Sequence, residues 1–260
     1  MNGLDLRSKE LRRLVVQMIE SDRRGHIGPA MSLIEILRAL YDSFLRPEKD
    51  RFILSKGHGC LALYAILADK GYFDKDLLKN FCKPNSPLGG HPERHKVPGI
   101  EASTGALGHG LPMGVGMALA ARIRGSDGRV VVVTGDGELN EGSIWEAALS
   151  ASKHKLSNLS VFVDYNKLQS YGSTHEVLEL EPLSAKWSSF GFEVAEVDGH
   201  SVDALENLLK KIPLNSQKPT AVICHTTKGK GFYFAENNVE WHHKTGLTDQ
   251  EITLMYQCLE

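Results

Sequence analysis

The sequence predicts an α/β fold, three layers deep (α/β/α), around a mainly parallel sheet. Three observations carry that expectation. Short apolar runs rich in β-branched residues recur along the chain, the clearest being the four valines Val130 to Val133. Segments of helical periodicity separate these runs, and strands alternating with helices build a parallel sheet covered on both faces. The runs are continuous rather than alternating, which suits strands buried on two sides. No repeat, low-complexity tract or linker interrupts the 260 residues, so one domain over residues 1–260 is expected.

Taken in order, Leu11, Leu14, Val15, Met18 and Ile19 form an amphipathic stripe at i, i+3, i+4, i+7, i+8. Ser32-x-x-Glu35 reads as a capping box for a helix with Leu33, Leu37, Leu40, Tyr41 and Phe44 on one face, and Pro47 marks its exit. Arg51 to Ser55 reads as a strand, with a helix after Gly59 carrying Leu61, Tyr64 and Leu67. Lys83 to Gly99 holds four prolines and three glycines and is irregular. Residues 102–121 contain no Asp, Glu, Lys or Arg, a length that could span a bilayer. Five glycines and Pro112 make that stretch a backbone-rich loop entering a small-residue helix instead. After the valines come a helix from about Ser143 to Lys155 and a buried strand from Leu159 to Asp164. Phe192–Val197 and Thr220–His225 read as further strands, separated by a helix with Leu205, Leu208, Leu209 and Ile212 on one side. Thr248-x-x-Glu251 caps a last helix bearing Ile252, Met255, Tyr256 and Leu259.

Composition narrows the function classes. With 42% hydrophobic and 24% charged residues, a disordered or fibrous chain is excluded. Thirty Lys and Arg against 32 Asp and Glu leave a net charge of −2, which argues against nucleic acid as a partner. The opening MNGLDLRSKELRR has no apolar signal core, and the cysteines (Cys60, Cys82, Cys224, Cys258) are scattered without a CxxC. A cytoplasmic protein with no membrane association is expected.

In parallel sheets ligands sit beyond the carboxyl ends of the strands. Asp136 lies between Gly135 and Gly137 directly after one strand, and Asn166 lies just past the next. Their separation of thirty residues is that of one strand–helix–strand unit, which brings both to one sheet edge. Carboxylate, amide and carbonyl oxygens suit Mg²⁺ or Ca²⁺, and Mg²⁺ commonly shares phosphate oxygens as well. The glycines let backbone N–H groups approach those phosphates. Taken alone, Gly-Asp-Gly is a common turn; the second ligand in the matched loop is what points to a diphosphate and a metal. Of eleven histidines, several lie in glycine-rich or turn contexts: Gly25-His26, Gly57-His58-Gly59, Gly90-His91-Pro92 and Trp241-His242-His243. Neutral imidazoles can exchange protons with hydroxyls near pH 7.

Gly135-Asp-Gly-Glu-Leu-Asn-Glu-Gly142 with Asn166 resembles the thiamine diphosphate-binding motif, and the chain as a whole resembles the amino-terminal half of transketolase. Gly25–Ser32, Leu54–Gly59, Gly89–Glu93, Ser103–Gly108, Lys228–Phe232 and Trp241-His242 occur in the family's order over nearly the whole chain. The resemblance implies a thiamine diphosphate-binding fold with Mg²⁺ held by Asp136, Asn166 and the carbonyl of Leu168. It places His58, Gly105, Ala106, Leu107, Gly137 and His242, with Asp136 and Asn166, at cofactor contacts. His26, His91 and His242 take the catalytic positions around the thiazolium and the substrate hydroxyls. Glu141 and Glu146 fall where the family has carboxylates between paired active sites, or else simply on a solvated helix face. His109 replaces a common glutamine. His243 replaces a usual glycine, so either His242 or His243 faces the site.

The implied activity is transfer of a two-carbon ketol unit from a ketose to an aldose, with sugar phosphates as substrates. The family's second, pyrimidine-binding domain and its activating glutamate are not in this sequence. The expected partner is therefore a separate C-terminal transketolase subunit, in a heterotetramer with two of each chain. A subunit of a 2-oxoacid dehydrogenase-like or deoxyxylulose-phosphate synthase-like enzyme, or a non-catalytic scaffold, is the alternative.

Overall fold

The four valines lie at the heart of a five-stranded sheet in the computed structural model, which describes residues 3–260. Met1 and Asn2, the start of the segment read as lacking a signal core, lie outside the described residues. The first third comprises α1 (Leu6–Asp22), β1 (Arg24–Gly25), α2 (Ile27–Met31), α3 (Ile34–Ala39), β2 (Arg51–Leu54) and α4 (Cys60–Asp69). After a long irregular stretch come α5 (Gly110–Ile123), β3 (Val130–Gly135), α6 (Gly142–Lys153) and β4 (Leu159–Tyr165). The last third holds α7 (Thr174–Val177), α8 (Leu183–Ser189), β5 (Glu193–Asp198), α9 (Val202–Leu209), β6 (Thr220–His225), β7 (Lys244–Thr245) and α10 (Asp249–Cys258).

The sheet order is β2-β3-β4-β6-β5, every pairing parallel. Alternate side chains of each strand enter two separate cores, which is why the runs are apolar throughout. Val131, Val133, Phe162, Val222 and Cys224 join residues of α1, α3, α4, α9 and α10. Val130, Val132, Val161, Val163 and Ile223 join α5, α6 and α8. The three-layer α/β/α expectation holds. No helix among the described residues is long and apolar enough to cross a membrane, and residues 102–121 are the loop-then-helix expected.

Three local expectations changed. Ser32 and Glu35 do not form a capping box, and α3 starts after Leu33 with no side-chain cap. Both side chains are buried and turned inward: Ser32 Oγ donates to Asp164 at 2.6 Å, and Glu35 pairs with Arg12 at 2.5 Å. A charge partner in a dry interior outweighs a solvent-exposed cap. The single long helix is instead α2 and α3 followed by a π-turn over Leu40–Phe44. The strand read as starting at Phe192 starts at Glu193; Phe192 packs on Trp187 with ring centroids 4.9 Å apart. As the sheet edge, this strand is only half-buried. The Thr248–Glu251 capping box is present in full.

Candidate active site

The site begins with sheet register. Gly135 on β3 stands opposite Asp164 on β4, so the chain leaves both strands at one edge, where the Asp136 N–H donates to the Asp164 carbonyl at 3.3 Å. The thirty-residue spacing thus does what parallel pairing requires. Asp136 Oδ1 accepts from Gly137 N–H at 2.7 Å, and Oδ2 accepts from Lys167 N–H at 2.6 Å. Asn166 Oδ1 accepts from Leu168 N–H at 3.1 Å. Asp136, Gly137, Asn166 and Leu168 all line one cavity of about 270 Å³.

That cavity is electrostatically unfinished on its oxygen side. Burial raises the pKa of Asp136 to about 6, and the charge of Asp164 adds to the effect, against Lys56 and the two N–H donors. A buried carboxylate in this state gains from a cation. The carbonyls of Leu168 and Gln169 already hold one, the Lys228 ammonium, at 2.9 and 3.0 Å. Among the described residues no cluster of three His, Cys, Asp or Glu side chains exists that would hold a metal. The fitting ion is therefore a hard one taking carboxylate, amide and carbonyl oxygens, with phosphate oxygens completing the shell. The donor set fits Mg²⁺.

The opposite wall is a cluster of imidazoles from four distant segments. The His26 ring lies 5.4 Å from His58, 6.0 Å from His91 and 5.6 Å from His242, centroid to centroid. His242 lies 5.5 Å from His58. Burial first, then the neighbouring histidines and lysines, lowers His26 to about 4 and His242 to about 3. His58 falls well below its ordinary value for the same reason, and partial burial lowers His91 at the rim. All four are neutral at pH 7. His242 Nε2 meets Ser170 Oγ at 3.1 Å, while its buried Nδ1 has no hydrogen-bond partner. An orphaned ring nitrogen facing a cavity is the mark expected where a polar ligand group docks.

Of the expected site residues, His26, His58, His91, Gly105, Leu107, Asp136, Gly137, Asn166, Leu168 and His242 are brought together around the cavity. Ala106 is exposed on the same turn as Gly105 and Leu107 and is not part of the wall. His242 faces this cavity; His243 packs on the other side of His26, at 4.5 Å, beside a second cavity with Arg24, Cys60 and Cys82. His109 is exposed at the start of α5, and Glu141 and Glu146 are exposed on the α6 side. Lys56, Lys228 and Glu138 also line the cavity although their roles were not read from the sequence. The signal was there: Lys56 and Lys228 each adjoin a glycine just after an apolar strand, a position from which a lysine can turn inward.

The neutral histidines carry a pH signature. Unfolded, each takes a proton near pH 6.5; folded, His26 and His242 refuse it until about 4 and 3. Stability is therefore complete above pH 6.5 and is lost as pH falls below it, by up to about 1.4 kcal/mol per pH unit for each histidine. Asp136, raised to about 6, opposes this with one proton below pH 6. Four histidines outweigh it. The urea midpoint of the ligand-free chain is expected to fall between pH 7 and pH 5; equal midpoints would show that the cluster is already charged or solvated.

Comparison with known proteins agrees with this geometry. The family profile described as transketolase, thiamine diphosphate binding domain, matches residues 5–259. One of the two chains of the apulose-4-phosphate transketolase of Actinobacillus succinogenes is 45% identical over 95% of this chain and 92% of its own length. A 6-deoxy-6-sulfo-D-fructose transketolase subunit of a Clostridium species is 40% identical over 90% of this chain and 88% of its own. The solved transketolase of Pichia stipitis in complex with sedoheptulose-7-phosphate superposes with a TM-score of 0.88 at 33% identity, covering 95% of this chain and 39% of that one. Profile, relatives and fold agree with the converging site residues: this chain belongs to the transketolase family and carries its thiamine diphosphate-binding domain.

Proposed function

We propose that this chain is the thiamine diphosphate- and Mg²⁺-binding subunit of a two-chain transketolase, working on sugar phosphates in the cytoplasm together with a separate pyrimidine-domain subunit, two copies of each. The observation that carries the reading is the facing of two unlike walls across one cavity. Oxygen donors for a hard cation stand on one side, and four neutral imidazoles on the other.

When bound, thiamine diphosphate supplies the electron sink that lets a ketose C–C bond break. This chain does the rest of its share with fixed groups. Asp136, Asn166 and the Leu168 carbonyl hold the metal, and Lys228 gives up the Leu168 carbonyl to it while keeping its charge near the diphosphate. Lys228 is fully buried, which lowers it to about 8, so it remains a cation at neutral pH. Gly105, Leu107 and Gly137 expose backbone to the cofactor without a side chain in the way. His26, His91 and His242, being neutral, each offer one N–H and one lone pair. They can hold a substrate hydroxyl in either sense and accept its proton as the bond breaks.

The relatives named as transketolase subunits imply a second chain for each of those enzymes. Turnover by this chain alone is accordingly expected to be absent. Full ketol-transfer activity is expected when it is purified with the pyrimidine-domain chain encoded beside it and supplied with thiamine diphosphate and Mg²⁺. Full activity from this chain alone would overturn the two-chain reading.

A further inference from the structure

Glu138 is an odd residue to find where a diphosphate should bind. It is 2% exposed and lines the cofactor cavity, and a carboxylate there repels the anion the cavity is built to take. Its hydrogen bonds account for its presence. Oε1 accepts from the Ser55 hydroxyl and from Gly108 N–H at 2.9 Å, and Oε2 accepts from Gly135 N–H at 3.1 Å. The three donors belong to three separate segments: the exit of β2, the turn 103–108, and the exit of β3.

We propose that Glu138 is a positioning residue for the cofactor, clamping the Gly105–Leu107 turn in fixed register with the loop that carries Asp136 and Gly137. The inference rests on the cofactor reading above and names the device that assembles that site. The turn itself shows how tightly it is held. Gly108 has φ of +82°, and a Cβ on it would lie 2.5 Å from Ser143 Oγ and 2.7 Å from Glu141 Cβ. Its carbonyl accepts from Ser143 Oγ at 2.8 Å. The Gly108 residue is thus fastened through N–H by Glu138 and through C=O by Ser143, both in the segment directly after Asp136. Gly135, the residue before Asp136, is fastened by the same carboxylate.

No neutral side chain of this size can replace it. Two carboxylate oxygens accept from three donors, whereas glutamine has one oxygen and turns an NH₂ group toward a donor. Methionine fills the space and accepts nothing. A role in packing alone would rank these variants by volume; a clamp ranks them by acceptor count.

The test uses the full chain as wild type, Glu138→Gln, Glu138→Met and, as the mildest lesion, Ser55→Ala. Two quantities are read well below the unfolding transition: amide hydrogen exchange at Gly108 and Gly135 in the ligand-free chain, and thiamine diphosphate affinity with Mg²⁺ by calorimetry. Exchange at both amides is expected to be slow in wild type and about tenfold or more faster in Glu138→Met, with Glu138→Gln between them. Affinity should fall about tenfold in Glu138→Gln, further in Glu138→Met and a few-fold in Ser55→Ala. In the assembled enzyme the KM for cofactor should rise by a similar factor while kcat at saturation stays within about twofold, a split that general loss of structure does not give. Unchanged exchange would show that there is no clamp. Faster exchange with wild-type affinity would show a clamp that positions nothing for the cofactor. Failure of the wild type itself to bind thiamine diphosphate would overturn the cofactor reading and this inference with it, and is told apart from the other outcomes by the wild-type titration.

Discussion

Asp136→Ala is expected to weaken thiamine diphosphate binding in the presence of Mg²⁺ by at least about a hundredfold while leaving the ligand-free chain close to wild-type stability. Removing even a group that orients a metal ligand costs about 10–100-fold in affinity, and Asp136 is the one carboxylate of the proposed donor set. The ligand-free chain loses little because its terms nearly cancel. The variant frees two N–H groups, of Gly137 and Lys167, from their acceptor. It also removes a buried carboxylate that both burial and the charge of Asp164 disfavour. Asp136→Asn is no gentler toward the ligand, because its NH₂ group must face one of those same two donors. The clearest readout is the thermal shift on adding ligand. At a hundred times Kd a ligand stabilises by about 2.7 kcal/mol. That shift should be present in wild type and absent in both variants. Wild-type affinity in Asp136→Ala would remove Asp136 from the metal site.

How much of this could be read from the sequence depends on the range of the interaction involved. The α/β class and the Asp136–Asn166 pairing were legible because parallel register converts a sequence spacing into a shared sheet edge, and the register of Gly135 with Asp164 is that conversion. The Thr248 capping box was legible because a cap is closed within four residues. Ser32 and Glu35 carried the same local pattern and were misread, because their partners, Asp164 and Arg12, lie 132 and 23 residues away. The histidines could be flagged one by one from their glycine neighbours. Their meeting within 6.0 Å of His26 is a property of four loops folding over one sheet edge, and spacing does not encode it. Lys56 escaped notice for a related reason. A lysine after a strand normally snorkels to water, and only the buried Asp164 explains why this one does not.

Lys56→Met should therefore be among the most destabilising single changes available outside the apolar core. Lys56 is 2% exposed and Asp164 is fully buried, with Nζ 2.5 Å from Oδ2. Burial by itself would raise the pKa of Asp164, but Lys56, helped by the Ser32 and Thr226 hydroxyls, holds it below the ordinary value. Without the ammonium that charge keeps only the two hydroxyls, and breaking a buried pair from one side costs about 3–5 kcal/mol. At roughly 2–4 °C per kcal/mol for a chain of this size, the melting temperature should drop by about 6–20 °C. Methionine nearly matches the lysine stem in volume, so a cavity contributes little to the loss. The decisive measurement is the double variant Lys56→Met with Asp164→Asn, in which no charge is left stranded and the amide oxygen can still accept from a hydroxyl. It should recover about 2 kcal/mol or more relative to Lys56→Met alone, a coupling that only contacting residues show. A double variant no more stable than the single one would mean that the pair does not hold this edge of the sheet together. The same variants probe the site, because the Lys56 charge lowers Asp136 whereas that of Asp164 raises it. Stranding Asp164 without its partner pushes Asp136 further toward its protonated form, so Lys56→Met should bind Mg²⁺ and thiamine diphosphate more weakly, and the double variant should regain part of that affinity.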